Sequence, residues 1–173
     1  MPIKIGSAPA AWGVNFPSDP QQTPWSRYLD EVAEAGYEWT ELGPYGYLPT
    51  DRVTLERELG QRGLKLAGGF LMPVLEDPEA WPDIEKTLLS LGELLAGLDA
   101  KFLVLIDDEY TDQHTGEPVA AVTLDQDAWK ILIDTTHAAA DAGLSVAGLV
   151  RVVCIRRRLS RLREEDCPTF SMR

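Results

Sequence analysis

The order of apolar and polar positions switches repeatedly between a period of two and a period near 3.6. Lys4-Ile5-Gly6-Ser7-Ala8 is a short alternating run that empties into a loop holding Trp12, Asn15 and Phe16. Thr23-Pro24-Trp25 supplies a helix cap followed by proline at the first helical position, and Trp25, Tyr28, Leu29 and Val32 then recur at helical spacing until Gly36. Tyr37 to Leu42 reads as a second strand ending at Gly43-Pro44, and Asp51 caps a second helix with apolar positions Val53, Leu55 and Leu59 before Gly63. Leu64 to Leu71 is a third strand, and Ile84, Leu88, Leu91 and Leu95 stripe a third helix closed by Gly97. Lys101 to Ile106 is a continuous apolar strand of the kind buried on both faces. Asp107-Asp108-Glu109 and a polar loop lead to Asp125, after which Trp129, Leu132, Ile133, Thr136 and Ala140 mark a fourth helix ending at Gly143. Leu144-Ser145-Val146-Ala147 begins a fifth strand.

The order is therefore βα repeated four times and then β. Parallel neighbours cannot be joined by a tight hairpin, so this alternation demands a parallel sheet with right-handed crossovers. Two α/β architectures satisfy it: an open doubly wound sheet, or the N-terminal half of a (β/α)8 barrel. At 173 residues the chain is too short for a whole barrel, which takes around 250.

Composition narrows the partners. With 16 basic and 28 acidic side chains the net charge is −12, which repels phosphate backbones and anionic headgroups, so neither nucleic acid nor a membrane is the expected partner. The N-terminus lacks the features of a signal peptide, no stretch of 18 apolar residues occurs, and only Cys154 and Cys167 are present, so a reducing, cytoplasmic location is expected. Composition breaks at Ala147: residues 1–147 hold 9 basic and 25 acidic side chains, residues 148–173 hold 7 and 3, and every basic residue of the second stretch is Arg. We read 1–147 as the folded body and 148–173, with its run Arg156-Arg157-Arg158, as an Arg-rich tail of non-native origin, a frameshift or truncation. A basic localisation patch and a solvated basic helix are the alternatives.

In either architecture ligands bind at the carboxyl ends of parallel strands. The residues just past the strands are Trp12 and Asn15, Glu41 with Tyr45, Phe70 with Met72, and Asp107 with Asp108 and Glu109. Trp12 and Phe70 are candidates to wall an apolar pocket, Asn15 to bond a hydroxyl, and Glu41 or Asp107 to act as acid, base or metal ligand. Set against this, each carboxylate taken singly suits an ordinary loop or cap. His114 is expected in solvent and His137 beside the apolar stripe of the fourth helix, at the boundary of its buried face, and two histidines so placed do not make a zinc site. There is no G-x-G-x-x-G opening a helix, no G-x-x-x-x-G-K-[ST] and no G-x-S-x-G, so phosphate cradling and a nucleophilic triad lack support.

The segments Ile5 to Asn15 and Tyr28 to Gly43, continued through Leu55 to Leu66 with Arg62-Gly63-Leu64 and as far as Ala142 to Ala147, resemble the sugar phosphate isomerase/epimerase family of the xylose isomerase-like barrel superfamily, and most of all its inosose dehydratase branch. That resemblance covers about residues 1–147 and implies a TIM barrel, a divalent metal (Mn, Mg or Co) and a small ketose or cyclic polyol as substrate. It implies isomerisation, epimerisation or loss of water by proton transfer next to a carbonyl. By match, Trp12, Asn15 and Glu41 fall in the substrate-side loops. The family continues into a His-rich segment and takes its metal ligands from later strands. Here Ala147 is followed by Gly148-Leu149-Val150-Arg151, with no histidine and no acidic residue before Glu164. The expectation is a half-barrel without its metal-ligand half, binding no metal itself, inactive alone and prone to self-associate through an open sheet edge.

Overall fold

The computed structural model describes residues 3–107, 124–146 and 151–156. Asp108, Glu109, His114 and Cys167 lie outside the described residues. The strands are β1 (Gly6–Ser7), β2 (Trp39–Thr40), β3 (Lys65–Leu66), β4 (Gly68–Leu71), β5 (Phe102–Asp107) and β6 (Arg151–Arg156). Between them lie helices α1 (Trp25–Glu34), α2 (Arg52–Gly60), α3 (Trp81–Gly97) and α4 (Gln126–Ser145).

All pairings are parallel, in the orders β1-β2-β3 and β4-β5-β6. The segments β3 and β4 belong to one strand broken at Ala67. Across the break the Ala67 amide donates to the Thr40 carbonyl (2.8 Å), Leu42 to Gly68 (2.8 Å) and Lys101 to Ala67 (3.0 Å), so hydrogen bonding continues from β1 to β6. The strands thus follow one another in space in chain order. A doubly wound sheet reverses its strand order at a switch point. No reversal occurs among the described strands, and the right-handed crossovers that βαβ units follow then put the helices on a single face, as in a barrel.

The break has a steric cause. Leu66 is buried, and a Cβ on Gly69 would touch Leu42 and Leu91, so both positions face the helices although they are three apart. Strict alternation forbids that, and Ala67 and Gly68 therefore both stand on the opposite, concave side, where they line a cavity. This is a bulge, which resets the parity so that Phe70 also faces the concave side.

The core lies between sheet and helices: Leu42, Leu66, Leu103 and Leu105 pack beneath Tyr28, Leu29 and Val32 of α1, Leu55 and Leu59 of α2, and Leu88, Leu91 and Leu95 of α3. Four local expectations are corrected. The α1 cap is Pro24, which has no side-chain acceptor, one residue beyond the expected Thr23, whose carbonyl accepts from the Tyr47 hydroxyl at 2.8 Å. Val53 stands 66% exposed on α2 and is no core position, whereas Asp51 caps that helix through the Thr54 amide as its sequence predicts. The strand Phe102–Asp107 is covered on one face only: Leu103 and Leu105 are buried, Val104 and Ile106 are partly exposed and Phe102 is 45% exposed, since nothing described packs on the concave side. Finally, Leu144 and Ser145 belong to α4 and the fifth strand is Arg151–Arg156. The helix runs past Gly143 because Val146, its C-cap, packs beside Gly92 of α3.

Candidate functional site

The concave face holds a cavity of about 440 Å³ lined by Ser7 and Ala8 of the first strand and its loop, Glu41, the bulge residues Ala67 and Gly68, and Phe102 and Val104 of β5. Each is placed by strand register: Gly68 pairs with Phe102 and Phe70 with Val104. Gly68 permits the close approach, as a Cβ there would lie 2.3 Å from the Phe102 carbonyl oxygen. At the opposite end of this face the Lys4 ammonium lies 4.6 Å, and that of Lys65 5.7 Å, from the ring centre of Trp39.

Glu41 is the ionisable group of the cavity. Its amide donates to the Ser7 carbonyl (2.9 Å), its own carbonyl accepts from the Thr40 hydroxyl (3.0 Å), and burial pushes its carboxyl above the ordinary carboxylate range. Gly43 then turns the chain away with φ of 72°, pressed so close to Pro9 that a side chain would collide with the proline ring.

Of the residues expected to form a site, the structure brings Glu41 and Phe70 onto the same concave face. Trp12 packs elsewhere: its ring meets Tyr28 edge-on at 5.1 Å and its indole N–H donates to Glu31 at 2.6 Å, which seats it on α1. Glu31 also accepts from Arg27 at 2.7 Å, and these two bonds hold its carboxyl below the ordinary range. Asn15 is exposed in the loop after β1. Asp107 is only 2% exposed, and alternation along β5 puts it with Leu103 and Leu105 on the helix-covered face, away from the cavity. Sequence reasoning missed Ser7, Ala8, Thr40, Gly68 and Phe102. Strand parity holds the signal for most of them, but the bulge that resets parity is visible only in three dimensions. His137 is exposed on α4, and Tyr45 and Met72 are partly buried. Among the described residues no three His, Cys, Asp or Glu side chains gather as a metal site, and no helix is long and apolar enough to cross a membrane.

This geometry, parallel strands in chain order with helices on one face and a cavity on the other, is that of half a (β/α)8 barrel. Among solved structures the chain superimposes on a xylose isomerase-like TIM barrel protein from Mycobacterium smegmatis in complex with magnesium, with a TM-score of 0.64 and 15% identity over 87% of this chain and 54% of that one. It likewise matches D-psicose 3-epimerase from Clostridium cellulolyticum H10, solved with D-tagatose, with a TM-score of 0.59 and 17% identity over 87% of this chain and 51% of that one. In sequence the chain is similar to inosose dehydratases: it is 27% identical over 144 residues to the enzyme of Geobacillus kaustophilus, a match covering 80% of this chain and 46% of that protein. It thus spans about half the length of the relatives and barrels it matches. No protein-family profile matches the sequence.

Proposed function

We propose that the chain contributes one half of a sugar- or polyol-binding site of the isomerase, epimerase and inosose dehydratase kind, with Glu41 as its proton-transfer group. The observation that supports this reading is the Glu41 carboxyl, raised by burial and set beside Phe102 and Val104 on the concave cavity. A carboxyl shifted upward is better matched to giving and taking protons near neutral pH. Opposite a small ketose or cyclic polyol ketone, the carboxylate takes the proton from the carbon next to the carbonyl and the C–H electron pair becomes an enolate. Proton return to the other face, from an acid other than Glu41, gives the epimer, and return to the neighbouring carbon, with the α-hydroxyl proton passing to the former carbonyl oxygen, gives the isomer. Loss of the hydroxyl one carbon further on, with a proton, gives dehydration. Each path balances without an oxidant or reductant. Phe70 and Phe102 offer apolar faces for the ring carbons, and Asn15 stays assigned to the loop on the substrate side.

A divalent metal accompanies the fold family, as the magnesium of the Mycobacterium smegmatis barrel illustrates. The described residues do not fit one, since they assemble no ligand set, and no step here runs through it. On this reading the chain alone binds its ligand and does not turn it over, because its concave face stays open to water. A cytoplasmic location and a non-native origin of residues 148–173 complete the proposal; against the second stands the pairing of Arg151–Arg156 with β5, and reading the codons from Val146 to Arg151 in all frames decides it.

A second reading, a self-associating half-barrel, draws on the exposed Ile3, Ile5 and Phe102. Sedimentation across a concentration series tests it. Titration calorimetry with a cyclic polyol ketone tests the first: wild type binds and Glu41→Gln binds more weakly, whereas equal heats from both proteins contradict the role of Glu41.

A further inference from the structure

We infer that Tyr28 and Thr40 are positioning residues for Glu41, fixing its peptide group through a directed pair of hydroxyl hydrogen bonds. The inference rests on the assignment of Glu41 to the site and adds the residues that set its direction. Tyr28 on α1 and Thr40 on β2 are both fully buried, and their hydroxyl oxygens lie 2.6 Å apart. Thr40 has one hydroxyl proton, and it goes to the Glu41 carbonyl oxygen at 3.0 Å. The donor of the short bond must therefore be Tyr28. Burial pushes the Tyr28 phenol up to about 12, so it keeps that proton across the working range.

The peptide group joining Glu41 to Leu42 is consequently held at both ends. Its carbonyl accepts from Thr40, and its N–H donates to the Gly68 carbonyl at 2.8 Å. A peptide plane gripped on both sides fixes the Cα–Cβ direction of Glu41, and β2 is only two residues long, so its ladder alone does little of this. Tyr28 is itself wedged. The edge-on contact with Trp12 at 5.1 Å and a tilted contact with Tyr47 at 6.0 Å fix its ring, and Glu31 locks Trp12 in turn. Helix α1 thereby carries the loop after β1, the loop after β2 and Glu41 as one unit.

The test follows Glu41 by carbon-13 NMR in the full-length chain, recording its backbone carbonyl shift and the midpoint of its carboxyl titration. Thr40→Ser keeps both hydroxyl bonds, Thr40→Val keeps the shape and removes them, and Tyr28→Phe keeps the ring and removes the donor. The expected result is that Thr40→Ser matches wild type. Thr40→Val and Tyr28→Phe shift the Glu41 carbonyl and bring the carboxyl midpoint down toward the ordinary 4.5, with the amide spectrum elsewhere unchanged. Packing alone predicts a different outcome: folded Tyr28→Phe, or folded Thr40→Val, with a wild-type Glu41 midpoint and carbonyl overturns the inference. Should Thr40→Val fail to fold, Tyr28→Phe and Thr40→Ser still decide it. Failure of the proposed function reads separately, as wild-type Glu41 resonances unmoved by the ketone.

Discussion

Replacing Gly68 by alanine probes the bulge on which the concave face depends. The new methyl carbon would stand 2.3 Å from the Phe102 carbonyl oxygen, 3.0 Å from its Cβ and 3.1 Å from its carbonyl carbon. Relief requires backbone to move by about 1 Å, since the first obstacle is not a flexible side chain, and over-packing of this kind costs about 1–3 kcal/mol. The strand that must move is paired on both sides, with four register pairs to β4 and six to β6. Losing one or two of those hydrogen bonds adds about 1 kcal/mol each, so the expected cost is about 3 kcal/mol. In a chain of this size that lowers the melting temperature by roughly 6–12 °C. Urea unfolding monitored by far-UV circular dichroism measures it directly. Gly69→Ala is the first control: its nearest obstacles are side-chain atoms of Leu42 and Leu91 at 3.2–3.3 Å, and the penalty is correspondingly smaller. Gly60→Ala is the second, with nothing within 4 Å at the end of α2, and it gains about 0.4–1 kcal/mol by restricting the unfolded chain. Gly68→Ala within about 0.5 kcal/mol of wild type, or milder than Gly69→Ala, refutes the bulge geometry.

Two further perturbations carry a pH signature. Because the Glu41 carboxyl is raised in the folded chain, the native state binds more protons than the unfolded one between the ordinary value and the raised one, and stability falls as pH rises through that window. Glu41→Gln is therefore more stable than wild type at neutral pH, and its advantage disappears below the ordinary carboxylate pKa; denaturant midpoints at several pH values check this. Asp51 has the opposite sign. Hydrogen bonds from Thr54 hold its carboxyl below the ordinary range, so its contribution is present at neutral pH and lost as pH falls through the lowered value. Asp51→Ala lowers the urea midpoint at pH 7 with an unchanged m-value, and the gap to wild type narrows in acid.

Much of the fold was legible because the helices carry their signals locally. The stripe Ile84, Leu88, Leu91 and Leu95 is buried on α3, and Asp51 and Asp125 cap α2 and α4 as acceptors for amides three residues on. The choice between an open doubly wound sheet and a half-barrel was not local. It rests on which strands are neighbours, and periodicity does not encode that. The concave face was hidden for a related reason: Val104 and Ile106 are as apolar as Leu103 and Leu105, so the composition of β5 reads as buried on both sides although one side is bare. Of the residues expected past the strand ends, Glu41 and Phe70 do lie on the concave face. Trp12 packs on α1: an indole suits a pocket wall and a helix contact equally well, and here the Glu31 carboxylate holds it to the helix. Asp107 lies on the helix side by the parity of its strand, a count that depends on where β5 starts.

The central claim is that the concave face, through Glu41, receives a ketose or cyclic polyol ketone. Its most direct measurement is a titration of the isotope-labelled chain with such a ketone, followed by heteronuclear NMR. The account predicts saturable shifts confined to Ala8, Glu41, Gly68, Phe70 and Val104, with α2 and the exposed face of α4 silent. Shifts absent from these residues, or spread evenly over the surface, would contradict it.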